Sequence, residues 1–160
     1  MGDRILVTGK LGGSILGHHF DFEPRVREAL ELNSRYDLHA GIDLSDGLTL
    51  DLSRLARQSG VGAELVLDRI PIAEDAQRMG DGVPPLEHAL GDGEDFELLL
   101  AVPPGEAQRI VQGRPLESFG VNVTDIGCFI EEPGLWARDG DAPDGRRSIS
   151  PAGWTHEFGG

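Results

Sequence analysis

Cysteine is almost absent from this chain. Cys128 is the only one in 160 residues, so no disulfide can form within the chain. Its place inside a predicted strand, without an obvious basic activator, marks it as a buried structural thiol rather than a nucleophile. Long apolar runs are missing too: none approaches the roughly 20 residues that a membrane-spanning helix needs. Residues 1–20 lack the basic, then apolar, then small-residue order of a secretory signal, so a soluble protein of the reducing cytoplasm is expected. Positive charge is scarce. Lys and Arg number 14 against 28 acidic residues, a formal charge of −14, and the field of such a domain repels nucleic acid and anionic membrane. A small phosphorylated ligand would be repelled as well unless a divalent cation bridged it to the carboxylates. A solvated acidic surface that serves solubility explains the same excess without any ligand.

Two familiar signatures are also lacking. The five histidines, His18, His19, His39, His88 and His156, show no metal-binding spacing, because adjacent residues of a helix point to different faces. They read as surface or packing residues. The glycines of Gly9-Lys10-Leu11-Gly12-Gly13-Ser14 do not complete the G-x-x-x-x-G-K-[ST] phosphate loop.

The composition that remains is 39% hydrophobic and 26% charged, which is that of one globular domain. Strands are expected at Arg4–Thr8, His39–Ile42, Ala63–Leu67, Phe96–Val102 and Val121–Ile130, with Phe96–Val102 as a central strand. Helices are expected from Pro24 to about Asn33, Asp46 to Gln58, Glu74 to Met79, Pro85 to Leu90, and from Pro103 to about Gln112. Residues 131–147, rich in Pro, Gly and charge, read as a hairpin with a mobile tip. Strands that alternate with helices and close on hairpins imply an α+β layered domain with a mixed sheet.

The sharpest chemical feature is Asp43-Leu44-Ser45-Asp46-Gly47. A strand ending in Asp and a helix starting three residues later put two carboxylates and a hydroxyl around one turn, hard oxygen ligands of the kind magnesium takes. The first amides of that helix favour an anionic phosphate. Ser45 or Asp46 acting only as a helix cap explains the same turn about as well, although it leaves Asp43 without a reason. Gly91-Asp92-Gly93-Glu94-Asp95 sits before the most apolar strand, where a glycine turn lets backbone and carboxylates approach a ligand; acidic residues simply facing water are the alternative. Trp154 and Trp136 offer indoles that either stack on a heteroaromatic ring or anchor the chain in the core.

These motifs resemble one family. Gly2–Gly9 looks like its opening strand, Leu11-Gly12-Gly13-Ser14 like the loop that follows, and Pro24-Arg25-Val26 and Ser59–Ala63 match further on. Asp43-Leu44-Ser45-Asp46-Gly47-Leu48 looks like D-x-S-D-G-L, Gly93-Glu94-Asp95-Phe96-Glu97-Leu98 like G-G-E-D-Y-E-L, and the Trp154 region like a terminal G-[WY]-x-H-F. The family is that of thiamine-monophosphate kinases, carboxy-terminal domain, within the aminoimidazole ribonucleotide synthetase superfamily. Asp92 stands in place of its first glycine, Phe96 in place of its tyrosine, and Glu157 intrudes before Phe158.

The resemblance implies a layered α/β sandwich over residues 1–160 as a single carboxy-terminal domain, with the amino-terminal ATP-binding domain outside this chain. It implies transfer of the ATP γ-phosphoryl group to thiamine monophosphate by a two-domain, homodimeric enzyme. Asp43 and Asp46 would bind Mg2+, Ser45 the nucleotide, and Glu94 and Trp154 the thiamine moiety, with no residue assigned as general base. The chain alone would be inactive. A non-catalytic module for a phosphorylated ligand, or a superfamily enzyme with a different acceptor, are the alternatives.

Overall fold

Residues 5–7 and 99–102 alternate faces with the two-residue period of a strand, and this alternation builds two cores on one sheet. Ile5, Val7, Leu99 and Ala101 join one buried cluster, Leu6, Leu100 and Val102 the other. The computed structural model describes residues 2–16, 22–140 and 145–153. Among these, seven strands form a single sheet: β1 (Arg4–Thr8), β2 (Ala40–Asp43), β3 (Gly62–Val66), β4 (Leu98–Val102), β5 (Val123–Ile130), β6 (Leu135–Arg138) and β7 (Arg147–Ile149). Their order is β2-β4-β1-β5-β3-β6-β7. All neighbours are antiparallel except β3 and β6, which run parallel, so the sheet is mixed and the fold is α+β, as expected.

Among the described residues five α-helices flank it: α1 (Val26–Arg35), α2 (Leu48–Gln58), α3 (Glu74–Arg78), α4 (Pro85–Gly91) and α5 (Pro104–Gly113). Leu32 of α1 and Ala107 and Ile110 of α5 enter one cluster. Leu48, Leu52 and Ala56 of α2, and Ala89 of α4, enter the other. The sheet is thus covered on both faces, the arrangement that buries alternating strands fully. Residues 131–147 do form the start of a hairpin, with β6 and β7 antiparallel; its tip, 141–144, lies outside the described residues.

Two expectations need correction. Helix α2 begins at Leu48, not Asp46, because Gly47 takes φ +118°, a left-handed value that breaks the helix before it. Cys128 is half-buried rather than buried; desolvation nevertheless pushes its thiol pKa up, away from nucleophilic behaviour.

The loop after β1 is pressed against α4. Gly12 has φ +90°, and a Cβ added there would lie 2.6 Å from the Ala89 amide nitrogen. Gly12→Ala is therefore expected to destabilise the fold by roughly 1–3 kcal/mol through overpacking alone, more with the left-handed backbone. Urea denaturation checks it; a midpoint equal to that of the parent would show that the loop yields freely.

Candidate functional site

Two segments distant in sequence are joined by main-chain hydrogen bonds. The Glu94 amide donates to the Ser45 carbonyl (2.8 Å), the Phe96 amide to the Leu44 carbonyl (2.8 Å), and the Leu44 amide to the Glu97 carbonyl (2.8 Å). Residues 94–97 therefore run beside 44–45 just beyond the β2–β4 pairing, which ends at Asp43 and Leu98. Glu94 and Phe96 adopt φ +64° and +52°, a conformation costly for residues with a Cβ. Strain of this kind persists where surrounding contacts over-determine it, and here they do.

Asp92, Asp95 and Glu97 of this stretch are each fixed separately. Asp92 accepts from the Gly13 amide (2.9 Å) and faces Nδ1 of His88 (3.0 Å). Ser14 donates its hydroxyl to the Gly93 carbonyl (2.5 Å). Asp95, 3% exposed, accepts from the Gly12 amide (2.9 Å). Glu97 is gripped by Thr8 (2.6 Å) and by a bidentate Arg25 (2.6 and 2.9 Å). The Phe96 ring stacks on Phe22 at 3.9 Å. Only Glu94 is exposed. A turn with its acids in water does not describe this segment, because the glycine loop after β1 supplies donors from the opposite side.

The first motif is held from behind by a residue that the spacing argument passed over. Asp51, 1% exposed, accepts from the Ser45 amide (3.1 Å) and the Asp46 amide (2.9 Å) through one oxygen. Its other oxygen takes Arg54 (2.8 Å). Neither Ser45 nor Asp46 caps α2, whose N-cap is Gly47 without a side-chain bond. Nor are the Ser45 and Asp46 amides open to a phosphate, since Asp51 already occupies them. Asp46 makes a second contact with the same Arg54 guanidinium.

The result is one cavity of about 430 Å³ whose walls include Ser45, Asp46, Asp92, Glu94 and His88. Three of the sequence candidates, Ser45, Asp46 and Glu94, meet there. Asp43 does not: it is exposed at the end of edge strand β2 and is not part of the lining. Trp154 lies outside the described residues. Its neighbour Gly153 packs so closely on the Asp46 carbonyl that a Cβ there would collide with it, and Ala152 exchanges hydrogen bonds with Thr49 of α2 (2.9 Å each). Trp136, the other indole, lies under the Arg146 guanidinium at 4.1 Å, away from the cavity.

His88 is a second residue that sequence reading missed, since a lone histidine carries no spacing signal. It is 5% exposed and bridges Asp92 and Asp81 (3.3 Å). Burial alone would lower its pKa, but the two carboxylates outweigh that and raise it. The hard oxygens of Asp46, Asp92 and Glu94 are donors that a magnesium ion accepts. Among the described residues no group of three or more His, Cys, Asp or Glu is arranged to hold an ion, and of the two aspartates expected to bind metal only Asp46 lines the cavity. A larger cavity, about 760 Å³ beside α5 and β5, contains none of these residues.

Comparison with known proteins identifies the family. Residues 3–138 match the model of the AIR synthase related protein, C-terminal domain. The chain belongs to this family. It is 45% identical over 157 residues to a thiamine-monophosphate kinase of Rhodopirellula baltica, covering 97% of this chain and 48% of that protein. With the thiamine-monophosphate kinase of Caulobacter vibrioides the identity is 31% over 181 residues, with the same coverages. The chain thus spans about half the length of the curated relatives it matches. Among solved structures, AaThiL complexed with AMPPCP and TMP superposes with a TM-score of 0.70 at 28% identity, over 98% of this chain and 52% of that one. T. maritima PurL complexed with FGAR shares the fold at TM-score 0.65 and 18% identity. The expected family and architecture are both borne out.

Buried Asp95 generates a pH prediction. Desolvation first, then the charges of Asp92 and Glu97, raise its pKa to about 8 against the pull of the Gly12 amide, and Oδ2 has no hydrogen-bond partner. The unfolded carboxyl titrates near ~3.9. Between those values the folded chain keeps a proton that the unfolded chain has lost, so this group's contribution to stability falls as pH rises through the window. Asp95→Asn, which retains an acceptor for Gly12, is expected to flatten that slope and to exceed the parent at pH 8 by roughly 1–3 kcal/mol. Parallel urea-stability profiles at pH 5 and pH 8 would refute it.

Proposed function

We propose that this domain is the acceptor- and metal-binding half of an ATP-dependent kinase that converts thiamine monophosphate to thiamine diphosphate. The observation that carries the reading is the convergence of Ser45, Asp46 and Glu94 on one cavity, held there by the pairing of residues 94–97 with 44–45. Similarity to proteins named thiamine-monophosphate kinase, and to a solved AaThiL complex with AMPPCP and TMP, supports the choice of reaction and substrates.

The cavity suits such a substrate electrostatically. Asp46, Asp81, Asp92 and Glu94 line it against His88, the one basic side chain among its described lining residues, an environment that favours a permanently cationic thiazolium and disfavours a bare phosphate. Phosphoryl transfer requires in-line positioning and charge neutralisation rather than a covalent intermediate on the protein. In this reading Glu94, exposed on its strained turn, orients the thiamine moiety, and the Ser45 hydroxyl donates to a nucleotide phosphate. Asp46 is a magnesium ligand; Asp43, exposed at the end of β2 and outside the cavity lining, is assigned to metal by its motif alone. Bound magnesium supplies charge neutralisation to the phosphates. Trp154, following Gly153, is assigned to the face of the thiamine ring. The second half of the site belongs to an amino-terminal domain, and a homodimeric, cytoplasmic enzyme completes the proposal. Among the described residues no helix is long and apolar enough to cross a membrane.

Two outcomes test this. In the chain joined to an amino-terminal half, Asp46→Asn is expected to lower kcat for thiamine diphosphate formation by roughly two orders of magnitude, the scale on which charge-stabilising groups act. Glu94→Gln is expected to raise KM for thiamine monophosphate more than KM for ATP. A coupled ADP-release assay reads both; unchanged constants in either variant remove that residue from the site. Failure of thiamine monophosphate to bind in calorimetry would turn the reading to another phosphorylated acceptor.

A further inference from the structure

The larger cavity, about 760 Å³ beside α5 and β5, reverses the charge balance of the chain. Its described lining residues include Arg4, Arg69 and Arg114 against one acid, Asp125, in a chain of 14 basic and 28 acidic residues. Arg4 is the fixed member, donating to both Asp125 oxygens (2.7 and 2.8 Å). A register shift in the β1–β5 pairing between Ile5 and Leu6 sets Asp125 opposite Leu6, so Arg4 and Asp125 both stand on the face of the second core. Arg114 is the available member. It follows α5, is exposed, and among the described residues its side chain has no hydrogen-bond or ion-pair partner. The same holds for the side chains of Gln108, Gln112, Asn122 and Thr124 on the cavity wall. The bottom is apolar, since Ala107, Ile110, Leu116 and Val121 belong to the second core. A basic residue at the end of α5 complements the helix dipole, which accounts for Arg114 but not for an acid-poor cavity in an acid-rich chain.

We propose that this cavity binds a phosphate monoester with an apolar or aromatic body. Three guanidinium charges less one carboxylate leave +2, the complement of a phosphate monoester that is dianionic above its second pKa, near ~6. Arg114 supplies the charge-assisted hydrogen bonds, for which a planar guanidinium matches phosphate oxygens. The amides of Gln108, Gln112 and Asn122 donate to the remaining oxygens. The apolar bottom takes the body of the ligand out of water. Arg4, already engaged by Asp125, stiffens the wall and holds its charge in place instead of gripping the head. The inference is independent of the reading of the acidic cavity, with which this one shares no lining residue.

The test is an NMR titration of the 160-residue chain, and of the chain joined to an amino-terminal half, with phenyl phosphate, inorganic phosphate and benzoate. Phenyl phosphate is expected to bind both proteins with a Kd of about 1 mM, within reach of a ligand of its size, and to shift the amides of Ala107, Val123 and Thr124. Inorganic phosphate, which lacks the body, is expected to bind about tenfold more weakly, and benzoate, with one charge fewer, more weakly than phenyl phosphate. Arg114→Asn, a residue that tolerates the left-handed φ of +44°, is expected to weaken phenyl phosphate about fivefold, whereas Arg114→Lys keeps most of the affinity. Val111→Asp, which adds an opposing charge at the partly exposed rim, is expected to abolish binding and serves if Arg114→Asn does not fold. Unchanged affinity in either charge-altering variant overturns the inference, as do shifts centred on Ser45 and Glu94. Inorganic phosphate or benzoate binding as tightly as phenyl phosphate overturns the ligand class. Binding that is lost in the joined protein shows the cavity to be a covered domain face and overturns it too.

Discussion

Three main-chain hydrogen bonds between residues 44–45 and 94–97 are the constraint on which the site depends. They extend the β2–β4 pairing past its last regular pair, Asp43 with Leu98, into a stretch that is no longer a regular strand. The left-handed backbone at Glu94 and Phe96 is what that extension costs, of the order of 1–3 kcal/mol for each such residue. In return the alternation of a strand is broken: Asp95 is driven inward to Gly12 while Glu94 stays at the cavity wall. Cores on both faces of the sheet make this stable, since Leu44 is fully buried between the paired segments and α2.

An acidic domain that gathers carboxylates must neutralise those it buries without losing the cavity, and here five different devices do so. Asp51 takes two loop amides, Asp46 takes Arg54, Asp92 takes an amide and His88, Glu97 takes Arg25 and Thr8, and Asp95 is driven toward its protonated form. Burying an unpaired carboxylate costs several kcal/mol, so such pairing is obligatory rather than decorative. The cations that serve this purpose come from α1, α2 and α4; Arg25 immediately precedes the first of these. The site is consequently a junction of helices on both faces with the edge of the sheet, and its chemistry is inseparable from its stability.

Legibility in the sequence followed the range of the interaction. The strands and helices were legible because they are written in local periodicity: Leu48, Leu52 and Ala56 on one helical face, Ile5 and Val7 against Leu6 on a strand. Boundaries slipped where one residue's conformation decided, as at Gly47, which delays α2 by two residues. Of the candidate site, Ser45, Asp46 and Glu94 were recognised by motif and do meet, whereas Asp43 shares the motif but lies exposed on the edge strand. Asp51 and His88 carried no signal. The first reads as one more polar position on a helix, the second as an isolated histidine, and their roles exist only through partners five or more residues away or across a turn.

What the sequence determined by itself was the class of chain: α+β, acidic, without an intrachain disulfide, carrying two carboxylate motifs beside predicted strands. Those properties follow from composition and from contacts between near neighbours along the chain. Which carboxylates share a cavity, which are spent on holding the backbone, and which is kept protonated were decided only by the tertiary structure. The physical reason is that pKa, pairing and exposure depend on groups some 40 to 80 residues apart, such as Ser45 with Glu94 or Gly12 with Asp95, whose meeting is settled by sheet register and by the two cores.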